Sequence, residues 1–171
     1  MTDRERFQAL HAALGEQLLR YFLRRSVGPS DAADLAAETY LTLWRRIDRL
    51  PEDEDGARAW AFGVARGVLL NHSRGVRRRL ALADRLRDAL LQEEGAIADN
   101  RSILGDALGS LSEDDRELIV LIAWDGLNPA QAAAVLGIEP GAARVRLHRA
   151  RKRLRAAMSD ADLEVATRQR R

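Results

Sequence analysis

A chain of 171 residues, 46% hydrophobic and 32% charged, is long enough for one ordinary globular domain or two small helical ones, and too short for an elaborate multidomain enzyme. Zero cysteines exclude disulfides and thiolate chemistry, and three scattered histidines (His11, His72, His148) make no metal-binding pair, so no metal or cofactor is expected. The formal net charge of +2 hides an uneven distribution: residues 144–155 hold seven cations and no anion, whereas 113–143 hold one cation and six anions.

The longest apolar run, Leu118 to Trp124, is too short to span a bilayer. The charged start, Met-Thr-Asp-Arg-Glu-Arg, has no apolar segment behind it, so cytoplasmic residence without membrane insertion is expected. Ala, Leu, Arg and Glu dominate and hairpin signals are absent, which predicts an all-α chain.

The first helix is expected from about Asp3 to Arg25, stopped by Gly28-Pro29, because the residue before proline disfavours helix. Ser30 or Asp31 then caps a second helix running to about Arg49. Ala36, Tyr40, Leu43, Trp44 and Ile47 form its apolar stripe, with Asp34, Glu38, Leu41 and Arg45 opposite. After Pro51 and an acidic loop, a third helix is expected from Ala57 to about Arg74, with Trp60 and Val64 on its core side. Gly75 ends or loosens it before Arg77, Arg78 and Arg79. These helices define a first domain, 1–79. Residues 80–102 are acidic and loosely periodic, and read as a flexible, partly helical linker.

A second domain is expected over 103–158. Ser112-Glu-Asp-Asp115 is a capping-box pattern opening a helix whose Leu118, Leu121 and Ile122 face a core, and Asp125-Gly126 closes it. Asn128-Pro129 opens a short helix that ends at Gly137. Glu139-Pro140 opens another, with Ala143, Leu147, Ala150 and Leu154 on one stripe. Two short helices across such a turn make a helix-turn-helix, which locks the second helix so that its early exposed residues can enter a major groove. The whole cluster of seven cations lies on that second helix. A solvated helix face in an arginine-rich chain would carry the same charge; its coincidence with a recognition helix favours a polyanion contact. Residues 159–171 are mixed in charge and read as a frayed tail.

Gly126-Leu-Asn-Pro-Ala-Gln-Ala-Ala-Ala-Val-Leu-Gly-Ile138, followed by Gly141-Ala-Ala-Arg-Val-Arg-Leu-His-Arg-Ala-Arg-Lys-Arg-Leu-Arg155, resembles region 4 of the extracytoplasmic-function sigma factors of bacterial RNA polymerase. Asp31-Ala-Ala-Asp-Leu-Ala-Ala-Glu-Thr-Tyr-Leu-Thr-Leu-Trp44 and Trp60-Ala-Phe-Gly-Val-Ala-Arg66 resemble region 2 of the same family, in the right order and separation. The resemblance implies a non-enzymatic initiation factor of two small helical domains. It implies core RNA polymerase as partner, through the beta-prime clamp helices and the beta flap, together with promoter DNA and an anti-sigma factor as regulator.

By the same resemblance, Asp34 and Glu38 dock on the clamp helices, where the family often has Gln at the position of Ala37. Arg66, Asn71, His72, Arg74, Arg77, Arg78 and Arg79 occupy the stretch that opens the minus-10 element and holds an unstacked base, with Gly67 where an Asn is frequent. Trp60 is expected in the core rather than as a stacking platform. Arg144, Val145, His148 and Arg149 match the groove-facing positions for the minus-35 element, and Ala142 stands where the family has Thr. Arg146, Arg151, Lys152, Arg153 and Arg155 are assigned to phosphates or to intradomain salt bridges. The alternative is a free-standing helix-turn-helix regulator whose N-terminal half senses a ligand or dimerises. No nucleophile and base constellation or phosphate-binding glycine loop supports a catalytic reading.

Overall fold

Thr2 accepts a hydrogen bond from the Glu5 amide, and the Glu5 carboxylate returns one from the Thr2 amide at 2.7 Å, which fixes where the first helix starts. In the computed structural model, which describes residues 2–25, 28–88 and 103–168, the side chains of 79–88, 103, 106 and 160–168 are not described. Every element among the described residues is helical. The contacts divide the chain into two units, 1–97 and 98–171.

In the first unit, α1 (Asp3–Leu23) buries Leu10, Leu14, Leu18, Tyr21 and Phe22 against α2 (Pro29–Arg45) and α3 (Glu54–Asp88). These positions recur every three or four residues, so one face of α1 supplies its share of the core. Phe62 on α3 is fully buried and meets Tyr21 edge to face at 5.7 Å; burial of such a side chain contributes about 1.5–3 kcal/mol. Arg6 donates to the carbonyls of Leu50 (2.7 Å) and Ile47 (3.4 Å), tying α1 to the 3-10 turn Ile47–Arg49 that follows α2.

Three sequence expectations for this unit are corrected. Gly28, not Ser30 or Asp31, is the N-cap of α2, because Pro29 with its fixed φ fits the first helical position. The buried face of α2 is Ala32, Leu35, Ala36, Thr39 and Leu43, so the expected stripe is rotated. Tyr40 is half-buried and Trp44 is 44% exposed, resting edge-on against Phe7 at 5.3 Å. Lastly, α3 does not stop at Gly75. It continues through Arg77, Arg78 and Arg79 to Asp88, because one glycine among good helix formers costs only about 1 kcal/mol and no proline follows. The expected linker therefore begins inside a helix; residues 89–102 lie outside the described residues.

In the second unit, α4 (Ile103–Gly109), α5 (Glu113–Ala123), α6 (Pro129–Leu136) and α7 (Pro140–Arg168) enclose Leu118, Leu121, Leu127, Ala132, Ala133, Ala143 and Ala150. Small residues on α6 and α7 let those helices approach closely. Helix α7 extends past the expected domain end at 158, as far as Arg168, where a frayed tail was expected; residues 169–171 lie outside the described residues.

Candidate nucleic-acid interface

Local chemistry builds the helix-turn-helix. Asn128 and Gln131 form a reciprocal cap, with the Asn128 side chain accepting from the Gln131 amide (2.9 Å) and the Gln131 side chain accepting from the Asn128 amide (2.8 Å). Gly137 ends α6 at φ 68°, a left-handed conformation that favours glycine, and the Ile138 amide closes back on the Ala133 carbonyl at 3.0 Å. Pro140 then starts α7.

Ala143, Leu147 and Ala150 are buried and Leu154 is half-buried, so the inward stripe of α7 is as the periodicity predicts. At 100° per residue, Val145 and Lys152 point directly away from that stripe, with His148 and Arg149 beside them and Arg144, Arg151 and Arg155 on the flank. All seven are exposed. The N-termini of α6 and α7 border a notch of about 410 Å³ lined by Asn128, Pro129, Ala130, Pro140 and Arg144, on the side of α7 where the helix dipoles favour an anion.

Arg146 lies on the opposite flank, towards α5. Its Nε donates to Asp115 (3.2 Å) and an Nη donates to Asp114 (3.2 Å), while Arg153 donates to the second Asp115 oxygen (3.1 Å). The hydrogen bond Arg146 donates to Asp114 is the largest influence raising the Arg146 pKa above its usual value, and Asp115 adds to it. Of the two assignments expected for Arg146 and Arg153, the intradomain salt bridge is the one this structure contains. The sequence reading missed Asp114 and Asp115 as its partners. Their position in a first helical turn suggested only capping, and the pairing crosses more than thirty residues of chain.

On α3, Gly67, Asn71, Arg74 and Arg78 share one exposed face at i, i+4, i+7 and i+11, and Arg77 is exposed beside them. Arg74 donates to the Asn71 side chain at 2.6 Å and to the Leu70 carbonyl at 3.3 Å, which holds both polar groups over that face. Arg66 is partly exposed on its edge. His72 is separated from the group: it is half-buried and continues the side of α3 that carries buried Val68. Trp60 is half-buried, and the Arg79 side chain is outside the described residues. On α2, Asp34 and Glu38 are exposed one turn apart, with Leu41 (56% exposed) and Arg45 on the same face. No group of three or more metal-ligating residues occurs among the described residues, and no described helix is long and apolar enough to cross a membrane.

Comparison with known proteins matches residues 11–79 to the family described as Sigma-70 region 2 and residues 101–154 to Sigma-70, region 4. The chain is 38% identical over 155 residues to an ECF RNA polymerase sigma factor, SigF, of Caulobacter vibrioides, covering 88% of this chain and 84% of that one. It is 32% identical over 154 residues to the ECF RNA polymerase sigma factor SigL of Mycobacterium tuberculosis, covering 88% and 85%. Among solved structures it is similar to the sigma factor RpoE of Bartonella quintana, crystallised with the anti-sigma factor NepR, with a TM-score of 0.64, 27% identity, and coverage of 90% of this chain and 96% of that one.

Proposed function

The chain belongs to the extracytoplasmic-function sigma factors, the non-enzymatic initiation factors of RNA polymerase, and from that premise we propose how its two units divide the work. The domain at 103–158 reads the minus-35 element with α7. Arg144, His148 and Arg149 face base edges, where an arginine can bond guanine O6 and N7 together, and Arg151, Lys152 and Arg155 neutralise phosphates. The notch beneath Arg144 receives a backbone phosphate on the helix N-termini.

The domain at 1–79 melts the minus-10 element. Unstacking a base costs a few kcal/mol, which must be offset by contacts made only to the open strand. The face of α3 with Asn71, Arg74 and Arg78, flanked by Arg66 and Arg77, offers amide and guanidinium groups for that strand. Asp34 and Glu38, with Leu41 one turn beyond Glu38 on the same face, dock on the clamp helices of core polymerase. An acidic pair next to an exposed leucine suits a basic, partly apolar partner helix. As with the Bartonella relative, an anti-sigma factor is the expected regulator.

The observation that carries this reading is the segregation of charge. A cationic face on α7 sits in one unit and an exposed acidic pair on α2 in the other, and promoter recognition through polymerase needs both. A free-standing regulator would not need the α2 face, and its N-terminal half would not match sigma region 2.

The test is a footprint on promoter DNA. Core polymerase with the chain should protect two separated blocks upstream of the start site and make thymines in the nearer block reactive to permanganate. Protection of a single site by the chain alone, unchanged by polymerase, would refute it. Glu38→Lys should weaken association with core polymerase while leaving the circular dichroism of the chain unchanged.

A further inference from the structure

Between Pro140 and Ala157 one large apolar side chain is exposed, and it stands in the middle of the cationic face. Val145, the sixth residue of α7, is 51% exposed. It points directly away from the buried stripe of Ala143, Leu147 and Ala150, with Arg144, His148, Arg149 and Lys152 around it.

Exposed single apolar residues are common and need no explanation by themselves. Two features separate this one. A β-branched residue at an exposed helix position is a poorer helix former than the Arg, Lys, Ala and Leu that fill most of the surrounding helix. In addition, early residues on the outward face of the second helix of a helix-turn-helix are those that reach base edges. An apolar group there would strip water from a hydrogen-bonding edge without replacing its bonds, a cost that is avoided when it meets an apolar group instead. On the major-groove edges of the four base pairs the only apolar group is the thymine 5-methyl.

We infer that Val145 is a specificity-determining residue that reads a thymine in the minus-35 element by packing its two methyl groups on the thymine 5-methyl, on either strand. The inference rests on the minus-35 role proposed above. The stiff valine rotamer makes the contact cheap in side-chain entropy, because little freedom is left to lose. Flanking Arg144 and Arg149 then read hydrogen-bonding edges on either side of an apolar centre.

The test uses holoenzyme assembled from the full chain and core polymerase, on a promoter fragment selected by that holoenzyme from a random-sequence pool. Each thymine of the minus-35 block, on both strands, is replaced singly by deoxyuridine, which removes the methyl and leaves every hydrogen-bonding group. The expected result is a loss of about fourfold in binding at one position, the worth of burying one methyl group. Val145→Ala, an exposed change that favours helix, should bind the thymine promoter more weakly by a similar factor and show no further loss with deoxyuridine at that position.

Indifference of the unsubstituted holoenzyme to every replacement overturns the inference. So does equal sensitivity in Val145→Ala, and so does a selected block with no A·T pair. In each of these cases specific initiation persists and the minus-35 role survives. A holoenzyme that selects no minus-35 block at all overturns that role and this inference together.

Discussion

Arg146 Nε lies 3.2 Å from Asp115 Oδ1, and that bond fixes how α7 is rotated against α5. Asp115 is at the third position of α5, where the Ser112 hydroxyl accepts from its amide at 3.3 Å. Its carboxylate is turned across the unit instead of back to the cap, and its two oxygens take Arg146 and Arg153 at 3.2 and 3.1 Å. Two cations on one flank of α7 are thus spent inside the domain, and the outward face is held in a single orientation.

Asp115 is 7% exposed, whereas Asp114 is open to solvent, so the two carboxylates should differ in worth. Asp115→Ala is expected to destabilise the second unit by about 1–3 kcal/mol, and Asp114→Ala by under about 1 kcal/mol. Hydrogen exchange of the amides of α5 and α7 in the full chain measures both, and equal protection in the two variants would contradict the clamp.

Arg149 and Lys152 share the exposed face of α7 but carry different proposed roles. Arg149→Ala should cost about 1–3 kcal/mol at one minus-35 position and relax the preference there. Lys152→Ala should weaken binding uniformly across sequences and reduce the salt dependence by about one counterion. Binding titrations on a panel of single-base promoter variants at two salt concentrations check this pair.

Gly67 sits on the exposed face of α3, and a Cβ built there meets nothing within 4 Å. Gly67→Ala should therefore stabilise the first unit by about 1 kcal/mol, since a mid-helix glycine carries that cost and nothing crowds its replacement. Thermal unfolding reads the gain. Gly67→Asn, adding an amide one turn before Asn71, should also change which minus-10 base is preferred, as read by permanganate reactivity on variant promoters.

The Tyr40 hydroxyl is buried with no hydrogen-bond partner, and burial raises its pKa above the usual value near 10. Tyr40→Phe removes an unsatisfied polar atom while keeping the ring that contacts Phe7 and His11, and should be neutral or stabilising by up to about 1 kcal/mol at pH 7. The fold favours the neutral phenol, so the native chain keeps this contribution below about pH 10 and loses it as the unfolded chain ionises above that pH. Urea unfolding at neutral pH and near pH 11 should show the advantage of Tyr40→Phe growing with pH.

What the sequence discloses here is what short-range chemistry decides. Asn128-Pro129, Gln131, Gly137 and the stripe of Ala143, Leu147 and Ala150 each determine their own turn of chain, and the helix-turn-helix could be read from them directly. The exposed pair Asp34 and Glu38 followed from helical spacing alone. Where packing across helices decides, local periodicity misleads: the stripe predicts Trp44 in the core, but α2 buries Ala32, Leu35, Ala36, Thr39 and Leu43, and Trp44 is 44% exposed, edge-on to Phe7 of α1. Gly75 looked like a stop, yet the helix formers on both sides carry α3 through it. The Asp115 pairing with Arg146 and Arg153 had no local signal, since the partners come together only when α7 docks on α5.

Run-off transcription tests the central claim most directly. Purified core RNA polymerase, a pool of promoter-containing fragments from the source genome, and the chain are combined, with core alone and the chain alone as controls. The account predicts discrete transcripts from a small set of promoters only when core and chain are both present, and their loss when α7 carries Arg144→Ala and Arg149→Ala together. Discrete transcripts from core without the chain, or a chain that adds none to core, would contradict it.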